Sequence, residues 1–134
     1  VRQVTSCVRE ANIFAMVDAM AEKRLPMAMR LLHQLLTAGS PPTYLLTMMA
    51  RQVRLMVQAK EMGPRSPLSV EEKRQQLGVS AMYPLQRLLG QSAGHSRERL
   101  VAIYESILDT DMAIKTGRWP DDLALDLLLV EVAT

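Results

Sequence analysis

The sequence predicts an all-α protein that folds as a single compact domain of about seven helices. Apolar residues recur with a period close to 3.6 along the whole chain, which is the spacing of amphipathic helices. No window shows the sustained alternation of apolar and polar residues that marks a half-buried strand. The length of 134 residues suits one domain, which buries roughly two-thirds of the surface that the unfolded chain exposes.

Caps and prolines delimit the first three helices. Asn12 can cap the first helix, because its side chain can accept a hydrogen bond from a free backbone N–H of the first turn. Pro26 is well placed at the start of the second helix, which Ala38-Gly39 ends. The third helix is the longest, over about residues 43–62, and it ends at the proline-rich loop of residues 63–67.

The remaining four helices have similar signals. Ser69 and Glu72 form a capping box for a short fourth helix, and Pro84 can open the fifth. Ser96 caps the sixth helix. The seventh follows the sequence Trp119-Pro120-Asp121 and is strongly apolar. This order of elements contains no internal repeat and no second domain.

Charge and composition exclude several classes of protein. The formal net charge of +2 is far from the basic balance of a domain whose main work is binding phosphates. No apolar run approaches the roughly 20 residues of a membrane span, and no signal-peptide pattern opens the chain. Cys7 is the single cysteine, so the chain cannot form an internal disulfide, which suits a reducing compartment. We expect a soluble, cytoplasmic protein.

The chemically reactive residues form no recognisable catalytic or ligand-binding motif. The chain has no glycine-rich phosphate loop and no G-x-S-x-G elbow. Neither His33 nor His95 has a cysteine or carboxylate at a spacing that would complete a metal site or a catalytic triad, so both are interpreted as structural or solvated. The sequence therefore predicts no catalytic residue, no cofactor and no metal.

Asp111 and Lys115 lie inside the apolar stripe of the sixth helix. That stripe is formed by Leu100, Ile103, Tyr104, Ile107, Leu108 and Ile114. Because residues four apart share a helix face, the two charged groups can meet. A buried carboxylate can be catalytic, but a neighbouring lysine explains its presence without chemistry. We therefore expect a partly buried structural ion pair.

Two helices have apolar faces that are too wide for one contact. The third helix has one broad stripe and a second stripe at seven-residue intervals through Met48, Leu55 and Met62. Either this helix is central to its own domain, or one stripe contacts another protein. The C-terminal helix poses the same question. The candidates for a partner interface, which include two arginines able to pair bidentately with carboxylates, are Met48, Arg51, Arg54, Leu55, Lys60 and Met62.

Residues 69–80, with three leucines after them, offer an alternative interpretation as a helix-turn-helix, whose second helix would enter the major groove of DNA. Two residues depart from that pattern. Arg74 stands four residues before the turn glycine, where a small residue lets the helices pack, and Pro84 interrupts the recognition helix. A plain helical corner is the preferred interpretation.

Several short motifs, in a characteristic order and separation, cover nearly the whole chain: Asn12-Ile13-Phe14, Asp18-Ala19, Ala50-Arg51-Gln52-Val53-Arg54 with Lys60, and Lys115-Thr116-Gly117. Together with the helix of Asp111 they resemble the C-terminal domain of the bacterial DNA polymerase III delta subunit, a part of the sliding-clamp loader. The resemblance implies that residues 1–134 are a helical collar, or oligomerisation, domain of clamp-loader type. It also implies a longer chain whose N-terminal ATPase-like domains are absent here.

The resemblance implies a role in assembly and no catalysis by this domain. Collar domains of the family pack side by side in a ring, which implies the tau/gamma and delta prime subunits as partners. The sliding clamp would be contacted through the absent N-terminal domain, DNA only indirectly, and a membrane not at all. The parent protein would belong to the DNA polymerase III holoenzyme, a nucleotidyltransferase. The open alternatives are a helix-turn-helix DNA-binding domain, the collar domain of a sister clamp-loader subunit, and an enzyme domain with an unrecognised site.

Overall fold

The computed structural model describes residues 2–62, 72, 75 and 82–134, and this part of the chain is helical apart from turns. Its six long helices are α1 (Arg2–Ala21), α2 (Leu25–Thr37), α3 (Pro42–Met62), α4 (Met82–Ala93), α5 (Arg97–Lys115) and α6 (Asp121–Ala133). The all-α prediction is confirmed. The predicted fourth helix and the helix-turn-helix segment lie outside the described residues, apart from Glu72, Gln75 and the start of α4. None of the described helices is long and apolar enough to span a lipid bilayer.

Left-handed residues end three of the helices. After α2, Gly39 has a φ of 97°, and its N–H and that of the next residue donate to carbonyl groups of the last helical turn. This arrangement is a Schellman motif, and it confirms the helix end predicted there. Gly117 ends α5 in the same way with a φ of 73°. At the end of α1 the left-handed residue is Lys23, with a φ of 61°.

The predicted helix starts were right for α5 and wrong for α1. Ser96 caps α5, because its Oγ accepts a 3.1 Å hydrogen bond from the backbone N–H of Arg99. By contrast, α1 begins at Arg2 and passes through Asn12, the residue predicted as its cap. Asparagine inside a helix costs only about 0.7 kcal/mol relative to alanine, and residues 2–11 contain no glycine or proline that would stop the helix earlier.

The central helix of the domain is α3. It contacts α1, α4, α5 and α6, while α2 packs against α1 and α6. Leucine, isoleucine, valine and alanine make up most of the core, and methionines fill irregular gaps where helices cross. Among the described residues, the completely buried methionines are Met16, Met20, Met49 and Met56.

A buried glutamine fixes α4 against α1 and α3. Gln91 donates from Nε2 to the carbonyl oxygen of Phe14 at 3.2 Å, and its Oε1 accepts from Nε2 of Gln52 at 2.8 Å. The guanidinium of Arg87 also lies over the ring of Phe14, 4.2 Å from its centroid. These contacts join residues 82–134 to residues 2–62, with α3 at the centre.

Candidate partner interface

Two of the predicted interface residues on α3 belong to the core of the domain. Leu55 is only 8% exposed and is part of the main hydrophobic core, and Met48 is half-buried and packs against that core. The reason is the central position of α3, because both apolar stripes find neighbouring helices within the same domain. At this exposure Leu55 offers little surface to a partner, which favours the alternative that α3 is central to its own domain. The side chain of Met62, the last residue of α3, lies outside the described residues.

The polar residues predicted on α3 lie on its outer side. Arg51 and Arg54 are exposed, and Lys60 is half-buried. Thr47, Gln58 and Glu61 share this exposed arc, as the helical wheel predicts. Among the described residues, neither arginine forms a salt bridge or a side-chain hydrogen bond. Both guanidinium groups therefore keep their hydrogen-bonding capacity for another molecule.

Asp111 and Lys115 meet, but they do so near the surface. Nζ of Lys115 lies 2.7 Å from Oδ2 of Asp111, while the two side chains are 69% and 35% exposed respectively. Asp111 is thus half-buried and Lys115 exposed. The core-facing arc of α5 is narrower than its apolar sequence suggested, because Leu108 and Met112 are exposed as well. Asp111 lies at the edge of that arc, within reach of water.

Among the described residues, three exposed large apolar side chains lie on α6. Leu123, Leu127 and Val130, which we call the α6 outer face, are 41%, 42% and 45% exposed. Their spacing of four and three residues places them on one side of the helix. The opposite side is buried in the core through Leu125, Leu128, Leu129 and Val132. A helix that is apolar on both sides normally has protein on both sides.

The surroundings of the α6 outer face add shape and charge. Trp119, just before the helix, is also exposed, and together with Leu127 it borders a cavity of about 180 Å³ between α5 and α6. Asp109, Arg118 and Glu131 also line this cavity. The surface therefore combines an aliphatic ridge, an aromatic ring and a small notch with charges of both signs, a composition typical of protein interfaces.

Both histidines lie beside a carboxylate, although no sequence pattern indicated a partner for either. Nε2 of His33 on α2 lies 3.3 Å from Oδ1 of Asp126 on α6. Nε2 of His95, in the turn between α4 and α5, lies 3.6 Å from Oδ1 of Asp18 on α1. These pairs join residues far apart in the chain, so no local spacing pattern could have predicted them. The structure thus gives each histidine a carboxylate neighbour through tertiary packing, while the interpretation of both as structural or solvated stays a prediction.

Comparison with known proteins gives one family and one similar fold. Residues 10–132 match the family model described as "DNA polymerase III delta subunit, C-terminal domain". The structure is similar to that of the Bacillus subtilis DNA clamp loader delta protein (YqeN), with a TM-score of 0.82 and 22% sequence identity. The similarity covers 93% of this chain but only 36% of that protein. No curated protein sequence matches the chain.

Proposed function

Because the chain belongs to the family of C-terminal domains of the DNA polymerase III delta subunit, we propose that it is an assembly domain that holds delta in a clamp loader. Its contacts would be with the tau/gamma and delta prime subunits. The observation that carries the proposal is the α6 outer face, where Leu123, Leu127 and Val130 stand exposed on a helix whose other side is core. The name of the similar B. subtilis protein, a clamp loader delta protein, supports the same role.

The α6 outer face fits the way helices recognise one another. Apolar anchors at positions i, i+4 and i+7 pack into the groove of a neighbouring helix. Completing the burial of three half-exposed aliphatic side chains contributes about 1 kcal/mol each. Association itself costs at least about 4 kcal/mol, so these anchors need support from surrounding contacts. Trp119 and the notch beside Leu127 are next to the anchors and extend the surface available to a partner.

Arg51 and Arg54 are the polar candidates within this proposal. Both are exposed on α3 and have no partner among the residues that the structure describes. A guanidinium can pair bidentately with a carboxylate of a neighbouring protein, which gives orientation more than affinity. Lys60, half-buried near the end of α3, is the third candidate of this kind.

In this role the domain acts by position and carries out no reaction. The helices packed around α3 form a rigid support, and the mobile parts of a clamp loader would be held relative to it. ATP binding in neighbouring subunits can be converted into clamp opening only if each subunit is fixed at one end. The nucleotide chemistry, the clamp contact and polymerisation would belong to other domains and subunits.

The test is native mass spectrometry of the protein mixed with the tau/gamma and delta prime subunits of its own organism, at low and high salt. We expect a discrete complex with one copy of the chain that survives high salt, because apolar contacts are not screened by ions. Failure to form a complex, with salt-sensitive binding to duplex DNA instead, would overturn the proposal in favour of the helix-turn-helix alternative.

A matched pair of variants tests the surface itself. Leu127→Glu places a charge on the α6 outer face, whereas Leu108→Glu places one at a similarly exposed leucine of α5, the two residues being 42% and 46% exposed. We expect Leu127→Glu to weaken assembly at least about tenfold and Leu108→Glu to leave it unchanged, with both variants retaining the helical circular-dichroism spectrum. Equal assembly of the two variants would exclude the α6 outer face as the interface.

A further inference from the structure

Three potential metal ligands, none of them on α6, lie close together near the end of α1. Asp18 and Glu22 lie at the end of α1 and just after it, and His95 lies in the turn between α4 and α5. One ligand atom from each residue lies within 4.8 Å of the other two. The spacing of four residues places the two carboxylates one above the other on one side of α1, with the imidazole facing them from another element.

The imidazole of His95 is buried without a hydrogen bond. Its side chain is only 9% exposed, so it is more than nine-tenths buried. Its one close charged neighbour is Oδ1 of Asp18, at 3.6 Å from Nε2, which is longer than a hydrogen bond. Neither ring nitrogen forms a hydrogen bond with any residue in the described ranges. Apart from the facing carboxylate of Asp18, this largely buried imidazole has no polar side-chain partner in the described ranges, and a bound ion would coordinate both groups at once.

We propose that Asp18, Glu22 and His95 bind one divalent transition-metal ion, with Zn²⁺ as the reference ion. Zinc accepts imidazole nitrogen and carboxylate oxygen at roughly 2.0–2.2 Å, so ligand atoms of a tetrahedral site lie about 3.3 Å apart. The 3.6 Å between Nε2 of His95 and Oδ1 of Asp18 is close to that value. Glu22 closes the site by rotating its side chain, which is 42% exposed and borders solvent.

The ligand set selects the class of ion. Imidazole is a ligand for zinc, copper, iron and nickel, whereas Mg²⁺ and Ca²⁺ bind almost entirely through oxygen. Two carboxylates also neutralise the two positive charges of the ion, which favours its binding in a partly buried position. The site therefore takes a divalent transition metal in preference to the alkaline-earth cations.

A neighbouring arginine does not prevent binding. Nη1 of Arg24 lies 3.5 Å from Oε2 of Glu22, and these side chains are 59% and 42% exposed. Such a solvated pair contributes little, so Glu22 can leave it at small cost.

Binding would tie the end of α1 to the turn that precedes α5. These two segments are far apart in the sequence, so a shared ion constrains a long stretch of chain and stabilises the folded state. Three protein ligands leave a fourth position for water on the exposed side of Asp18 and Glu22. The inference rests on these residues alone and holds whether or not the domain assembles as proposed above.

The experiment begins with tag-free protein treated with a chelator and then dialysed. Titration with Co²⁺ is followed by visible absorption, which reports coordination geometry, and Zn²⁺ is added to displace it. We expect one ion per chain, and a melting temperature that rises by roughly 5–15 °C when Zn²⁺ is in hundredfold excess over its Kd. Mg²⁺ and Ca²⁺ should not displace Co²⁺. The absence of saturable binding to the unmutated protein overturns the proposal.

Variants decide which residues hold the ion. His95→Gln and Glu22→Gln should each weaken binding at least about tenfold, and Glu22→Gln preserves the fold because its side chain is exposed. The control is His33→Gln, since His33 faces the single carboxylate of Asp126 and belongs to no three-residue cluster in the described chain. Undiminished binding by either of the first two variants, or an equal loss in the control, contradicts the assignment.

Discussion

The guanidinium of Arg99 donates a 2.7 Å hydrogen bond from Nη2 to the carbonyl oxygen of Val132, which links the first turn of α5 to the last turn of α6. The same nitrogen lies 3.3 Å from the carbonyl oxygen of Met20 in the last turn of α1. The last carbonyl groups of a helix have no partner within it, and they lie at the negative end of its dipole. One arginine therefore satisfies the ends of two helices at once.

Replacing Arg99 should destabilise the fold clearly. Arg99→Met keeps an unbranched apolar stem but removes hydrogen bonds from a charged donor, so we expect a loss of about 1.5–3 kcal/mol in the free energy of unfolding. Urea denaturation monitored by circular dichroism measures it. Arg97→Met is the control, because Arg97 makes only an exposed 3.5 Å contact with Glu61 and should change stability by less than about 0.5 kcal/mol. Similar losses for both variants would contradict the structural role of Arg99.

Removing the amide of Gln91 should leave two polar groups without their partner. Gln91→Met preserves the size of the side chain, but the carbonyl of Phe14 and the amide of Gln52 lose their hydrogen bonds with it. We expect a destabilisation of about 1–3 kcal/mol in chemical denaturation, which is the cost of unsatisfied buried groups. Gln34→Met, at an exposed position of α2, should be nearly neutral. If the two substitutions have the same effect, Gln91 does not anchor α4.

The left-handed residue after α1 offers a stabilising substitution. A side chain in this conformation costs roughly 1–2 kcal/mol, and Lys23 has a φ of 61°. Lys23→Gly should raise the free energy of unfolding by about 0.5–1 kcal/mol once the greater backbone freedom of unfolded glycine is subtracted. Thermal unfolding would measure the change, and a lower melting temperature would contradict it.

Gly39→Ala provides the reverse experiment at the equivalent position after α2. A Cβ placed on Gly39 meets no atom within 4 Å, so any effect comes from the backbone conformation, with its φ of 97°. We expect a loss of about 1 kcal/mol in the free energy of unfolding. A neutral result would mean that the left-handed conformation does not limit the choice of residue at this turn.

The ion pair of Asp111 and Lys115 on α5 is accessible to solvent, so removing it should change the stability of the fold little. Removing a buried pair would cause a large loss of stability. Asp111→Ala should cost only about 0.3–0.5 kcal/mol, because a solvated pair four residues apart contributes little. Asp109→Ala serves as the reference, since Asp109 is an exposed acid of the same helix. Parallel denaturation curves should differ by less than about 0.5 kcal/mol. A loss of several kcal/mol for Asp111→Ala alone would show that the carboxylate is buried after all.

Local features of the fold were predictable from the sequence, and long-range ones were not. The cap at Ser96 and the helix end at Gly39 depend on a few adjacent residues, so their residue types were sufficient. The beginning of α1 was missed because Asn12 is compatible with both a cap and a helix interior. The contacts of Arg99 join segments that only the packing of helices brings together.

The candidate interface shows the same division. The wide apolar faces of α3 and α6 indicated that each helix has more apolar surface than one neighbouring helix can cover. The sequence pattern could not distinguish a helix at the centre of the domain from a helix at an interface. The position of α3 among four neighbours decides that Leu55 is core, whereas Leu127 on α6 remains exposed. Likewise, the helical wheel places Asp111 within the apolar face of α5. Only the packing of α5 shows that this apolar face extends beyond the residues that are buried in the core.

If a partner covers the α6 outer face as proposed, the stability of this domain depends on the free concentration of that partner. A protein that covers Leu123, Leu127 and Val130 binds the folded state alone, so each tenfold rise in its free concentration above Kd adds about 1.4 kcal/mol to the free energy of unfolding. An unassembled copy lacks this added free energy of unfolding and exposes its apolar side chains to chaperones and proteases. The same three residues that favour assembly would thus also mark an unassembled copy for turnover, which would keep its abundance matched to that of its partners.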